Sequence, residues 1–451
     1  MTSPPFAAVI LAAGQGSRMK SGLPKVLHPV AHRTMIEHVL AAVAPLQPTR
    51  TVLVIAPGME PRMPRAPGVE FVVQSEPLGT GHAVAAAAPA LAGFEGDLVV
   101  LYGDTPLIRG DSILALLAAR REAPEPAVVV AGMRLAEPGG YARLVTGSYG
   151  SLEAIVEARD CGPAERQITF LNAGPLAAGA ASLFSLLGAI GRDNAQREYY
   201  LTAVVEAARR RGLVCHAVEV PAEEMAGAND RVELAAVEAL MQRRLRHALM
   251  LSGVGMIAPE TVFLAADTAI GADSTIGPHV VFGPGVTIGR AVEIAAFSHI
   301  TGATVGDGAR IGPFARLRPG ADLGSDVHIG NFVEVKNSRL DSGAKANHLA
   351  YLGDATIGAR SNIGAGTITC NYDGFDKHRT EIGADVFIGT NSSLVAPVTI
   401  ADGAIVAAGS VVTENVAAGA LVLGRARQVT KPGRAADWRR EAKLRKKERS
   451  G

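Results

Sequence analysis

Ala269-Ile-Gly-Ala-Asp-Ser-Thr-Ile-Gly-Pro-His-Val-Val-Phe-Gly-Pro-Gly-Val-Thr-Ile-Gly289 is written in sixes. Ile270, Ile276, Phe282 and Ile288 fall at a six-residue step that continues through Ile294 and Ile300. After one short step the series resumes at Val305 and runs Ile311, Leu317, Leu323, Ile329, Val335. It returns as Ile357 and Ile363, then as Ile382, Ile388, Leu394, Ile400, Val406 and Val412. A period of six fits neither a helix nor a simple strand alternation. It fits a flat-sided coil with one inward aliphatic residue per side, three sixes to a coil. The expectation is a parallel β-helix of hexapeptide repeats with about eight coils. Gly follows many of the inward residues, and we read it as the corner residue, where the backbone needs a permissive φ. Two polar stretches, Asn337–Tyr351 and Cys370–Arg379, read as breaks in the repeat, and in a solenoid such breaks are loops on a working face.

The rest of the chain sets limits on function. Its 451 residues carry 44 Lys and Arg against 43 Asp and Glu. No overall field calls for nucleic acid or a membrane surface. No run approaches the roughly 18 apolar residues of a spanning helix. Met1 to Phe6 lacks the basic start of a signal peptide. Cys161, Cys215 and Cys370 share no metal-type spacing, which reads as free thiols in a cytoplasmic protein.

Before the repeats, short Val-rich runs alternate with helical patterns. The runs are Phe6–Ala12, Thr51–Ile55, Glu70–Val73, Leu98–Tyr102 and Ala127–Ala131. The helices fall at Met35–Ala44, His82–Leu91 and Ser112–Glu122. This is an α/β pattern with a doubly wound, Rossmann-like, mostly parallel sheet, and ligands sit at the carboxyl ends of such strands. Asp230 to Met250 reads as a capped helix with an apolar stripe, an arm between domains. The expected division is 1–228, a helical linker at 229–251, the β-helix at 252–430 and a basic tail at 431–451.

The first strand ends in Leu11-Ala-Ala-Gly-Gln-Gly-Ser-Arg-Met19, followed by Leu23-Pro-Lys-Val26. Gly14 and Gly16 let backbone N–H groups turn toward an anion, and Arg18 and Lys25 add charge: a cradle for a triphosphate. It is neither the P-loop nor the usual dinucleotide fingerprint. Tyr102-Gly103-Asp104 follows an apolar strand, which puts a carboxylate at a strand end.

These motifs resemble the sugar-1-phosphate nucleotidyltransferases. That resemblance implies nucleotide contacts at Leu11, Ala12, Ala13, Gly14, Lys25, Gln74, Gly79, Thr80, Tyr102 and Gly103. It implies Mg²⁺ on Asp104 and Asn229, and sugar contacts at Ala142, Glu157 and Asn172. Ala142 stands where the family usually has Gly. Glu198-Tyr-Tyr-Leu-Thr202 matches as the start of a helix.

The repeat half carries Phe314-Ala-Arg-Leu-Arg-Pro-Gly320, Gly330-Asn-Phe-Val-Glu-Val-Lys336, Asn347-His-Leu-Ala-Tyr-Leu-Gly-Asp354 and Asn362-Ile-Gly-Ala-Gly-Thr-Ile-Thr-Cys-Asn-Tyr-Asp-Gly374. With the first half, it resembles the bifunctional N-acetylglucosamine-1-phosphate uridyltransferase/glucosamine-1-phosphate acetyltransferase family over about Phe6 to Arg427. The resemblance implies a left-handed β-helix and a homotrimer. It implies acetyl transfer from acetyl-CoA to glucosamine 1-phosphate, then uridylyl transfer from UTP to the product. His348 is the implied base, with a side chain whose ordinary pKa of about 6.5 suits that role. Arg318, Lys336, Tyr351, Asn362 and Lys377 are the implied sugar-phosphate contacts. Ala365, Asn371, Tyr372, Thr390, Ala408 and Arg425 are the implied acetyl-CoA contacts, with Asn371 or a Thr390 N–H steadying the oxyanion. A single-function nucleotidyltransferase with a regulatory β-helix would need no His348 cluster. A non-catalytic module would be expected to lose Arg18, Lys25 or Asp104. The tail from Lys431 holds nine Lys and Arg around Trp438 and reads as a solvated, partly disordered end, the alternative being a basic flap over a phosphate-rich cofactor.

Overall fold

The protein is described from a computed structural model covering residues 5–14, 16–147, 150–194 and 196–449. The first four residues, Gln15 of the glycine loop and the last two of the tail lie outside the described residues. The chain forms two compact units. One takes in the chain to Ala248 together with Leu264–Ala266, and the other takes in Leu249–Phe263 and everything from Asp267.

The first unit is built on a nine-stranded sheet. Its main path runs Cys215–Glu219, Val128–Arg134, Phe170–Gly179, Asp97–Tyr102, Phe6–Leu11, Arg50–Ile55, Val69–Val73. Phe6–Leu11 is parallel to both neighbours, while Phe170–Gly179 runs antiparallel to both of its own. A hairpin, Arg143–Thr146 with Leu152–Val156, pairs beside it. The strands read as unbroken apolar runs because both faces are covered. Ala8, Ile10, Leu53, Val99 and Leu101 pack with Ile36, Val39 and Leu116 on one side. Ala7, Val9, Val52, Leu98 and Val100 pack with Val84, Leu183 and Val204 on the other.

The helix Arg231–Leu251 buries Val237 and Met241 in a third cluster with Val30, Met35 and Leu107, and Leu234 and Leu245 pack against it. Asp230 opens it, accepting from the N–H groups of Val232 and Glu233, each at 2.9 Å.

In the second unit three parallel sheets of ten, eight and eight strands stack coil on coil. Every inward residue named above from Ile270 to Val412 is buried. A fully buried Ile or Leu is worth about 1.5–3 kcal/mol over an exposed one, so each coil face adds a similar increment.

The glycines differ from expectation. Of those following an inward residue in the repeat, Gly312 (φ +91°) has a left-handed backbone, while Gly271, Gly277, Gly289, Gly330, Gly358, Gly364, Gly383 and Gly389 do not. What they supply is space. A Cβ on Gly271 would lie 2.6 Å from Gly289 O, and one on Gly277 would lie 2.8 Å from Ala296 N in the next coil. The left-handed corner falls instead on the third residue after the inward one, where non-glycine residues such as Asp273, His279, Phe297, Phe314, Phe332 and Asp385 alternate with glycines such as Gly285, Gly308, Gly320, Gly366, Gly403 and Gly409.

The first break is also different. Ser338–Leu340, Lys345–His348 and Tyr351–Gly353 continue the three sheets, with Leu340, Ala346 and Leu352 buried. A five-residue step and a small Ala had hidden the repeat. The second break is an excursion from Asn371 to Arg379, leaving Ile368–Cys370 and rejoining at Thr380–Ile382. The tail is not irregular: Arg434–Glu448 is a helix, with helix-forming Ala, Arg and Lys throughout and Arg434 paired to Glu441. Among the described residues no helix is long and apolar enough to cross a membrane.

Candidate active sites

Leu11 and Tyr102 end adjacent parallel strands in register. The chain leaving each therefore meets at one point. Gly103 N–H donates to Leu11 O at 2.9 Å, and a Cβ on Gly103 would press on Ile36 and Leu11 O. The two loops enclose a cavity of about 340 Å³ lined by Leu11, Ala12, Ala13, Gly14, Lys25, Gln74, Gly79, Thr80, Tyr102 and Asp104. A second space of about 470 Å³ shares Ala13, Gly14 and Gln74 with it. Arg18 lines neither and stands exposed on the one-turn helix Ser17–Met19.

Gln74 is buried, and its amide nitrogen is engaged by Gly79 O at 3.1 Å and by the His82 ring at 3.1 Å. That leaves its carbonyl oxygen as the acceptor for an imide N–H. Gly79 has φ +104°, and a Cβ there would lie 2.7 Å from Tyr199 O. Glu198–Thr202 does not begin a helix, which starts at Ala203. Its backbone instead clamps the Gly79-Thr80 turn: Gly81 N–H donates to Tyr199 O, Tyr199 N–H to Leu78 O, and Leu201 N–H to the Thr80 hydroxyl.

The Lys25 ammonium is hydrogen-bonded to the Asp104 carboxylate and lies 3.1 Å from Asn229 Oδ1. Two oxygens from positions far apart in sequence thus converge on one positive charge. Glu233 fixes the second of them: its Oε2 accepts from Asn229 N–H at 2.7 Å and from Asn229 Nδ2 at 3.0 Å. The helix cap therefore turns the Asn229 carbonyl oxygen toward Asp104. One carboxylate and one amide oxygen suit Mg²⁺, which keeps water and phosphate as its other ligands.

Ala142 O accepts from Asn172 N–H at 2.8 Å, which joins two of the expected sugar contacts. Burial pushes the Glu157 carboxyl up, the Thr202 hydroxyl offsets part of this, and Asp160 adds to it. Burial pushes the Tyr102 phenol well above its usual range, helped by the nearby Asp104 and Glu157 charges.

In the second unit Ile311, Ile329, Ala346, Ile363, Ile388 and Val406 pair in one continuous ladder. The second residue after each marks one corner of the stack. From Ile329 onward those residues are Asn331, His348, Ala365, Thr390 and Ala408. His348 and three expected acetyl-CoA contacts thus form a single column. Arg425 adjoins its upper end, with Cδ 3.7 Å from the Cβ position of Gly409.

Arg316, Glu334 and Tyr351 form a second column on the neighbouring sheet. Arg318 donates to Glu334 at 2.7 Å and Arg316 at 3.4 Å, so Glu334 holds the expected phosphate anchor. Asn362 pairs with Lys345 across the coils. Asp354 ties three coils together, accepting from Asn337 at 2.5 Å and from the Asn371 amide. Burial alone would raise its carboxyl, but these two donors, with Lys336 and Lys377 nearby, hold it below the usual range. Asn371 is buried, and one N–H of its side-chain amide is held by Asp354. In the excursion Tyr372 donates to Gly374 O at 2.6 Å. Asp373 accepts from His378, Asp376 and Phe375, chiefly His378, and these bonds depress its carboxyl.

Residues 8–163 match the MobA-like NTP transferase domain, and residues 267–302, 302–337 and 379–414 match the bacterial transferase hexapeptide repeat. The chain is 55% identical to the bifunctional protein GlmU of Rhodospirillum rubrum, over 96% of this chain and 97% of that one. It is 56% identical to that of Acidiphilium cryptum, over 96% and 98%. The chain belongs to the GlmU family. Its first unit is a GlmU nucleotidyltransferase domain and its second a left-handed β-helix transferase domain. Glu233, Asn331, Glu334 and Asp354 carry no motif signal that assigns them a part in either site. Each acts through another side chain rather than through a motif of its own.

Proposed function

We propose that two separate sites on this chain carry the two reactions of its family. The chain is a bifunctional enzyme of UDP-N-acetylglucosamine synthesis. Acetyl passes from acetyl-CoA to glucosamine 1-phosphate, and a uridylyl group then passes from UTP to N-acetylglucosamine 1-phosphate with release of pyrophosphate. Acetyl transfer belongs to the β-helix, expected at 252–430, and uridylyl transfer to the first 228 residues.

The observation carrying the acetyl assignment is the column. His348 stands one coil from Ala365 and two from Thr390, so a thioester laid along that corner reaches an imidazole. Nε2 takes a proton from the sugar amine as its nitrogen attacks the thioester carbonyl. Arg318, Lys336 and Lys377 supply charge for the sugar phosphate, and Tyr351 and Asn362 hold its hydroxyls. The Thr390 N–H, or the second amide N–H of Asn371, is the oxyanion donor.

In the first unit Gln74 reads the uracil, while Glu157, Asn172 and the Ala142 backbone hold the acetamido sugar. Lys25 neutralises phosphate charge during in-line transfer, and Arg18 adds to it. Mg²⁺, held by Asp104 and Asn229, would supply charge neutralisation at the same phosphates. The protein acts in the cytoplasm as a homotrimer, whose neighbours cover the flat faces of the coils.

Incubation with glucosamine 1-phosphate, acetyl-CoA, UTP and Mg²⁺, with products read by mass, tests the assignment. Asp104→Ala should lose uridylyl transfer alone and His348→Ala acetyl transfer alone. Equal loss of both activities in a folded variant would refute two separate sites.

A further inference from the structure

Asn331 lies one coil from His348 in the same column, and the two residues are paired in register. Leu349 N–H donates to Asn331 O at 3.0 Å, so the backbone ladder itself sets their spacing. The side chains meet: His348 Nδ1 lies 2.7 Å from Asn331 Oδ1. His348 is exposed, so no core packing holds its ring. Among the described residues the contact with Asn331 is the one hydrogen bond that ring makes.

An amide oxygen can only accept, so Nδ1 carries the proton. A neutral imidazole has one N–H, and Nε2 is then left with its lone pair. A carboxylate in the same place would also favour the charged ring. The nearby Glu334 is engaged by Arg318 and Arg316. An uncharged partner selects the tautomer without favouring imidazolium, which suits a base that must start deprotonated.

We propose that Asn331 is the positioning residue of acetyl transfer: its side-chain oxygen locks His348 in the Nδ1–H form and aims Nε2 at the sugar amine. This rests on His348 being the base. As the amine nitrogen bonds to the thioester carbon, Nε2 takes the proton the nitrogen loses. When the carbon–sulfur bond breaks, the imidazolium returns a proton to the departing thiolate, and CoA leaves as the thiol.

The test uses the full-length enzyme with Asn331→Leu, Asn331→Asp and His348→Asn, each checked for parental melting of the second unit as evidence of folding and for intact uridylyl transfer. Loss of an orienting partner of a metal-bound histidine typically costs about 10–100-fold, and a loss of that order is expected here by analogy. Asn331→Leu should show that loss in kcat for acetyl transfer, with KM for glucosamine 1-phosphate unchanged. Asn331→Asp keeps an acceptor but favours the charged ring, so it should recover most of kcat only at alkaline pH, where that ring is deprotonated. Nitrogen-15 NMR of labelled histidine should give the Nδ1–H tautomer for His348 in the parent enzyme and lose it in Asn331→Leu. A parent spectrum of the Nε2–H form, a parental kcat in Asn331→Leu, or an Asp variant as slow as the Leu variant even at alkaline pH overturns the inference. An active His348→Asn removes the base and this inference with it. An inactive His348→Asn beside a fully active Asn331→Leu removes the inference alone.

Discussion

Glu233→Ala tests whether a helix cap sets the metal response of the first site. The carboxylate receives two hydrogen bonds from Asn229, at 2.7 and 3.0 Å. Bonds to a charged group are worth about 1.5–3 kcal/mol when buried. Both residues are part-exposed, so about 1 kcal/mol each is the fitting figure, or about 2 kcal/mol together. Asp230 still caps the helix, so its first turn survives. The loss therefore falls mainly on the orientation of Asn229. Since 1.4 kcal/mol is a factor of ten, the apparent Mg²⁺ affinity should drop about 30-fold, with recovery of rate at high Mg²⁺. The assay is the initial rate of pyrophosphate release against stepped Mg²⁺ at saturating UTP and sugar phosphate, with acetyl transfer as the control. An unchanged Mg²⁺ dependence, or equal decline of both activities, would refute the reasoning.

Lys25→Ala should cost on the order of 10²-fold in uridylyl turnover, whereas the exposed Arg18 should cost less; the reverse order in steady-state kinetics would move the phosphate site. Glu157 binds its proton more readily in the native state than unfolded, because burial raises its carboxyl, so its contribution to stability falls as pH rises through the carboxylate range. Glu157→Gln should therefore melt above the parent near pH 7, and the gap should close on acidification; a gap independent of pH in scanning calorimetry would count against this. Gly364→Ala places a Cβ 2.5 Å from Ile388 O and should lower the melting of the second unit, despite the roughly 0.4–1 kcal/mol that such a change gives at unstrained sites.

Much of the fold could be read from the chain because its main signal is local. An inward Ile every six residues is visible without coordinates, as are apolar runs ending at Leu11 and Tyr102. Where local residues misled, a neighbour in space was responsible. The glycines after Ile270 or Ile276 were read as flexible corners, yet the backbone of the next coil is what excludes a side chain there. The coil through Leu340, Ala346 and Leu352 was hidden because Ala fills a position that bulkier residues fill elsewhere. In the candidate sites residue types were legible and partners were not. Nothing in the sequence says that Glu334 faces Arg318, that Asp354 holds one amide N–H of Asn371, or that Lys25 meets Asn229.

The column through His348, Ala365, Thr390 and Ala408 works as a ruler. Adjacent strands lie about 4.8 Å apart, so each coil is one graduation, whatever length of chain is spent in making it. The stretch from Ala365 to Thr390 is longer than that from His348 to Ala365, yet each spans one coil, because the excursion at Asn371–Arg379 leaves the stack and returns to it. Loop residues can accordingly be gained or lost there without changing the distance from His348 to Thr390. Adding or deleting a whole coil would displace one from the other by a full graduation. Insertions should therefore be tolerated by position in the coil, and hardly at all by their length.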